Sequence, residues 1–147
     1  MMDRRRGLMA AKKQENPWED ITSTLNFVRG SNTQFTEIDD VIRVFSQVNG
    51  TYRSILAGFT TNEGYAYKVT CDRVAVNKGV GKIYCRTSEN VIVSGTGTPS
   101  WTTSQVAIEK EFSHNPDIAK ISLFCTWTTS EAGDVLYTAF RLWRKKL

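Results

Sequence analysis

The chain has 147 residues, 40% of them hydrophobic and 23% charged, enough for one domain that buries a core without metal or disulfide support, plus an extension. No run approaches the ~18–20 apolar residues of a membrane span. The apolar run Gly7 to Ala11 is also too short for a secretory signal, which needs ~7–15 residues, so the chain is expected to be made and used without export. The net charge of +4 is uneven: residues 1–14 hold five basic residues and one acid, residues 141–147 hold four basic residues, and the stretch between holds ten basic and fourteen acidic. Basic character belongs to the two ends, and the body is mildly acidic.

In chain order, residues 1–14 are basic and carry no periodicity long enough to fold alone. Asn16-Pro17-Trp18-Glu19-Asp20 marks a boundary, because proline holds its predecessor extended and Trp18 is a bulky anchor for the arm. Asp40 to Phe45 is rich in β-formers, Asn49-Gly50 is a hairpin signal, and Tyr52 to Phe59 is read as the returning strand. Tyr65, Tyr67, Val69 and Cys71 alternate with Ala66, Lys68, Thr70 and Asp72, the pattern of a half-buried strand. After a turn at Asn77 to Gly81, Lys82 to Thr87 forms another, with Ile83 and Cys85 on one face.

Residues 94–100, rich in Ser, Gly and Thr, are read as a flexible loop. Ser104 to Phe112 alternates Val106, Ile108 and Phe112 with polar neighbours, and Ala119 to Trp127 places Ile121, Leu123, Cys125 and Trp127 on one face. Val135 to Arg144 is the last strand. About eight strands at roughly ten-residue spacing predict an all-β fold, an antiparallel jelly-roll β-sandwich over residues 21–147, preceded by an extended arm over residues 1–20.

Cys71, Cys85 and Cys125 each sit within a strand-like run, and His114 is the only histidine. Without a CxxC or Cys/His spacing, no zinc site is expected, and the thiols read as small buried hydrophobes.

Two segments resemble known families. Tyr67-Lys68-Val69-Thr70-Cys71-Asp72, the strand Lys82 to Arg86, the loop carrying Trp101 ahead of Thr103 to Phe112, and the closing runs "AKISLF" and "VLYTAFRLW" resemble, in that order, the second half of jelly-roll carbohydrate-binding modules. Thr138-Ala139 stands where many relatives place Asp or Asn, which weakens the carry-over of the structural calcium of some of these modules and leaves its presence open; no cofactor is expected. The opening "DRRRGLMAAK" resembles the Arg-Arg-Arg-x-Leu-Met tract that begins many bacteriophage virion and tail-associated proteins. It implies a virion structural protein, made in the host cytoplasm and present in several copies or as a homo-oligomer, whose arm docks on another virion protein. The docking residues would be Arg4, Arg5, Arg6, Leu8, Met9 and Trp18.

The residues point to binding rather than catalysis. A lone His114 builds no Ser/His/Asp arrangement. Asp39 and Asp40 point to opposite sides of an extended chain, whereas Glu109 and Glu111 share a face and read as solvated acids. Gly95-Thr96-Gly97 lacks the lysine and helix of a phosphate loop. Sugars are held by aromatic faces and polar side chains, which singles out Trp101, Tyr84 and Trp127; Trp101, beside a Gly/Thr/Pro loop, is the foremost.

Arginines with an apolar Leu-Met step suit a protein groove, and nucleic acid is not expected as the arm's partner. The expectation is a non-enzymatic virion protein docked on tail, baseplate or capsid, displaying a sandwich to host-surface glycans. Two alternatives are a carbohydrate-binding module outside any virion and a small jelly-roll coat protein whose basic arm holds nucleic acid.

Overall fold

The computed structural model describes residues 17–30, 32–47, 53–126 and 131–147. Arg4, Arg5, Arg6, Leu8, Met9 and Trp127 lie outside the described residues. The described chain forms eleven strands and one 3-10 turn: β1 (Glu19–Asp20), the turn Thr22–Thr24, β2 (Val28–Arg29), β3 (Gln34–Ile38), β4 (Val41–Ser46), β5 (Arg53–Gly58), β6 (Tyr65–Lys78), β7 (Ile83–Arg86), β8 (Gln105–Ser113), β9 (Lys120–Thr126), β10 (Gly133–Thr138) and β11 (Arg141–Lys146). All named strand pairs are antiparallel. Seven strands make one sheet, and four make the other in the order β2-β5-β9-β7. The result is the expected antiparallel β-sandwich.

The long β6 organises the large sheet. β8 runs along one of its edges, and β10 and β11 run along the other in one continuous register, Thr138 opposite Arg73 and Arg141 opposite Thr70. The expected last strand is therefore a single rail interrupted at Ala139, whose φ is 54°. Beyond it, β4 pairs with β10 and β3 with β4, and β1 pairs with β11.

The alternation read over 65–72 holds, since Tyr67, Val69 and Cys71 are core residues. On β9, Ile121, Leu123 and Cys125 face the same core, while Ser122, Phe124 and Thr126 are also buried on the opposite face.

Four expectations need correction. The strands on either side of Asn49-Gly50 do not form a hairpin, because β4 belongs to the large sheet and β5 to the small one; the two turn residues themselves lie outside the described residues. Asp39 and Asp40 are not in an extended segment: with φ of 53° and 62° they turn β3 into β4, as a primed hairpin turn requires.

Val106 is 72% exposed rather than inward, because its neighbour Ala107 adopts a φ of 54° and the alternation breaks there. Finally, the loop at 94–100 is a built edge. The Thr96 hydroxyl accepts from Cys85 N (3.1 Å) and the Thr98 hydroxyl from Ile83 N (3.0 Å), while Thr98 N donates to Ile83 O and Val93 N to Cys85 O. Both threonines are buried and complete the free edge of β7.

The two sheets are stitched together at one end. The Tyr137 hydroxyl, fully buried, accepts from Lys82 N (3.1 Å) and Phe124 N (3.0 Å), with the carbonyls of Lys82 and Phe124 as acceptors for its proton. Burial pushes this phenol far above the ordinary range. Beside it, Val80 N donates to Cys125 O at 2.9 Å. That approach requires glycine at two positions, since a Cβ on Gly79 or Gly133 would meet Cys125 O at 2.0 or 2.4 Å.

At the other end, aromatic rings fill the space between the sheets. Phe59 meets Tyr67 edge-on at 5.5 Å, and Tyr67 stacks on Phe112 at 5.8 Å. All three cysteines are free and buried, and burial pushes the Cys71 and Cys85 thiols up to about 11 and about 12.

Tyr137→Phe keeps the ring and leaves Lys82 N without its acceptor, while Phe124 N keeps Lys82 O at 3.1 Å, a loss of about 1–3 kcal/mol. A urea melt is expected to show that loss with an unchanged slope; an unchanged midpoint would mean the hydroxyl does not join the sheets.

Candidate functional site

The aromatic end of the sandwich opens to solvent. A cleft of about 580 Å³ is lined there by Glu19, Asp20, Ile21, Ser23 and Thr24 from the edge of the large sheet, by Gly58, Phe59, Thr60 and Asn62 following β5, and by Tyr67, Ala119 and Arg144. Short-range forces place each part. β1 pairs with β11, and the Asp20 side chain closes a local turn ahead of the 3-10 turn by accepting from Thr22 N (2.9 Å) and from the Thr22 hydroxyl (2.6 Å). Thr22 in turn accepts from Leu142 N at 2.8 Å. This strap holds Ser23 and Thr24 over the cleft.

On the facing wall, Asn62 N donates to the Tyr67 hydroxyl at 2.8 Å, so the backbone fixes the segment while the Asn62 side chain stays exposed. Thr61 ties the segment to His114 and Asn115, which accounts for the lone histidine as part of a turn. Phe59 and Tyr67, both buried, lie at its base, and Arg144 closes one side, paired with Glu19 at 2.8 Å and lying over the Tyr65 ring at 4.9 Å. A cleft ringed by hydroxyl, amide and carboxylate groups suits a small hydroxyl-rich ligand.

A second cleft of about 410 Å³ lies along the same strap and shares Asp20 and Ser23 with the first. Asp40 there is held by both Arg141 nitrogens, at 2.9 and 2.7 Å. The Arg141 hydrogen bond holds the Asp40 carboxyl below the usual carboxylate range.

The residues singled out in the sequence fall elsewhere. Tyr84 is 1% exposed, and its hydroxyl accepts from Arg86 Nε at 3.1 Å and from Nη2. Its ring face is closed to a ligand, which corrects its candidacy as a glycan platform. Trp101 is half-buried, pairs its backbone with Gly81 and packs against the core. It does not line the cleft. Trp18 lies on the outer face of the large sheet between Lys68 Nζ (4.4 Å) and Lys145 Nζ (4.8 Å), so it pins the start of the described chain to the body.

The cleft residues went unread because they come from segments far apart in sequence, and none of these segments carries a motif. Among the described residues, no group of three or more His, Cys, Asp or Glu is arranged to hold a metal ion, and no helix is long and apolar enough to cross a membrane.

The sequence matches no protein-family model and no curated protein sequence. Solved structures share the fold. A structure described as CBM4 superposes with a TM-score of 0.56 at 9% identity, over 90% of this chain and 91% of that one. A family 29 carbohydrate-binding module from Piromyces equi gives 0.51 at 11% identity, over 87% and 89%. An arabinose-bound GH51 α-L-arabinofuranosidase gives 0.51 at 10% identity over 80% of this chain, which spans only 23% of that enzyme. The fold is thus that of carbohydrate-binding-module β-sandwiches.

Proposed function

We propose that this chain is a non-catalytic glycan-binding β-sandwich, displayed on a bacteriophage virion through its basic N-terminal arm. The observation that carries the glycan part is the open cleft, where the exposed Ser23, Thr24, Thr60 and Asn62 stand around the buried Phe59 and Tyr67. Their hydroxyl and amide groups suit the hydroxyls of a sugar. Support for binding without catalysis comes from the likeness itself. The two binding modules match over nearly their whole lengths, whereas the hydrolase matches over a minor part of its chain. The virion part rests on the arm, with Arg4, Arg5, Arg6, Leu8 and Met9 ahead of the folded body. Arm and sandwich then divide the labour: one attaches, the other adheres.

Affinity electrophoresis in gels containing neutral polysaccharides (xylan, mixed-linkage β-glucan, galactomannan) tests the cleft. The wild-type chain is expected to be retarded by at least one polymer. Asn62→Ala removes a side-chain partner while keeping the backbone bond to Tyr67, and is expected to weaken retention about five-fold, one hydrogen bond's worth. No retardation by any polymer, or equal retardation of the variant, would contradict a glycan cleft at this position.

Deleting residues 1–16 leaves Trp18 and β1 in place and so preserves the fold. Full-length protein is expected in purified phage particles, and the truncated protein is expected to be missing from them. Equal incorporation would move the contact to the sandwich, and absence of both would end the virion reading.

A further inference from the structure

The second cleft, along the strap, differs in character from the first. Its walls include the half-buried Leu25 and Phe27, and Phe27 lies edge-on to Phe140 at 5.9 Å. Its rim carries the carboxylates of Asp20, Glu37 and Asp40, all three residues exposed. Among the described residues, Arg141 is the one cation that lines it, and its guanidinium is already committed, to Asp40 at 2.7 Å and to Asp20 at 3.7 Å. Glu37 meets no cation among the described residues, and Asp39 adds an exposed carboxylate in the adjoining turn. The cleft is apolar along its wall, net acidic at its rim and open to solvent.

Such a groove suits a short segment that carries cations next to apolar side chains. The chain itself holds one, Arg4-Arg5-Arg6-Gly7-Leu8-Met9. Its other basic run, Arg141 to Lys146, is β11, whose backbone is paired with β6 on one side and β1 on the other, so it is not free to dock elsewhere.

The point where the chain enters the body separates a neighbour's groove from its own. β1 runs antiparallel to β11, with Glu19 opposite Arg144 and Asp20 opposite Trp143, and Trp18 lies against Lys145. The chain therefore enters at the Lys145 end of β11 and points away from the groove, which lies at the Arg141 end. Residues 7–17 are long enough to span up to about 35–40 Å, the scale of a whole domain of this size. That length reaches an adjacent copy without a reversal of direction at Trp18.

We infer that the Arg4-to-Met9 segment of one copy docks in the Leu25–Phe27 groove of a second copy. Its arginines meet Glu37 and the neighbouring acids, and Leu8 and Met9 meet the apolar wall. The contact is head-to-tail, so it links several copies in a ring or a row. The inference rests on the reading of the N-terminal residues as a docking arm and names what the arm docks on.

Sedimentation velocity tests it on the full chain, on Glu37→Lys, on a chain carrying Arg4→Glu and Arg5→Glu, and on an equimolar mixture of the two variants. Glu37 is exposed on β3, at the edge of the large sheet, and residues 4 and 5 precede the folded body, so both variants are expected to fold. The full chain is expected to associate as its concentration rises. Each variant alone is expected to associate about ten-fold more weakly. The mixture is expected to regain association, because the native arm of one variant meets the native groove of the other. Leu8→Ser, which leaves every charge in place, is expected to lose about three- to five-fold.

A full chain that stays monomeric, association that is indifferent to Glu37→Lys, or a mixture that regains nothing overturns the inference. Arm-dependent incorporation into phage particles by a chain that stays monomeric also overturns it, in favour of a foreign protein partner, and leaves the docking reading standing. Arm-dependent association that the mixture restores, in a chain absent from particles, supports the groove and removes only the virion reading.

Discussion

One phenolic hydroxyl, that of Tyr137, sits between the two sheets and accepts from the backbone amides of Lys82 and Phe124. An amide buried without a partner is costly, so this contact commits β10 of the large sheet to the β7–β9 ladder of the small one. The backbone bond from Val80 to Cys125 and the glycines that permit it extend the same seam. Sheets that touch through backbone at one end leave the other end to be filled by side chains. There Phe59, Tyr67 and Phe112 pack between them, and the cleft opens beyond the rings.

The same asymmetry distributes polar chemistry. At the stitched end, polar atoms are consumed in holding the fold: Ser46 accepts from Gly133 N, and the threonines of 94–100 satisfy the edge of β7. At the open end, the strap from Glu19 to Leu25 is fixed by its own capping bonds and by Leu142, which frees Ser23 and Thr24 to face the cleft. A rigid frame favours any ligand such a cleft would receive, because each ordered contact made beforehand lowers the ordering cost of binding.

The class of fold was legible from residues 65–72 and 119–126, where period-two alternation matches the burial of Tyr67, Val69, Cys71, Ile121 and Leu123. The sheet assignment was not. Asn49-Gly50 predicts a local return, but β4 and β5 find partners in different sheets, a choice set by long-range pairing rather than by turn chemistry. β3 escaped notice because Gln34 to Ile38 is nearly all exposed, so no hydrophobic period marks it. The cleft was illegible for the same reason: it joins residues 19–24, 58–62, 119 and 144, which only the sandwich topology brings together. Tyr84 shows the converse, an aromatic that read as a platform and serves as a buried acceptor for Arg86.

Whether the open end receives a sugar chain is answered most directly by a ¹⁵N–¹H titration of the intact protein with short neutral oligosaccharides, following the sugar resonances in the same tube. The account predicts saturable shifts confined to Ser23, Thr24, Thr60, Asn62 and their neighbours, with every glycosidic bond intact at the end of the titration. Shifts confined to the stitched end, no shifts with any saccharide, or the appearance of new reducing ends would each contradict it.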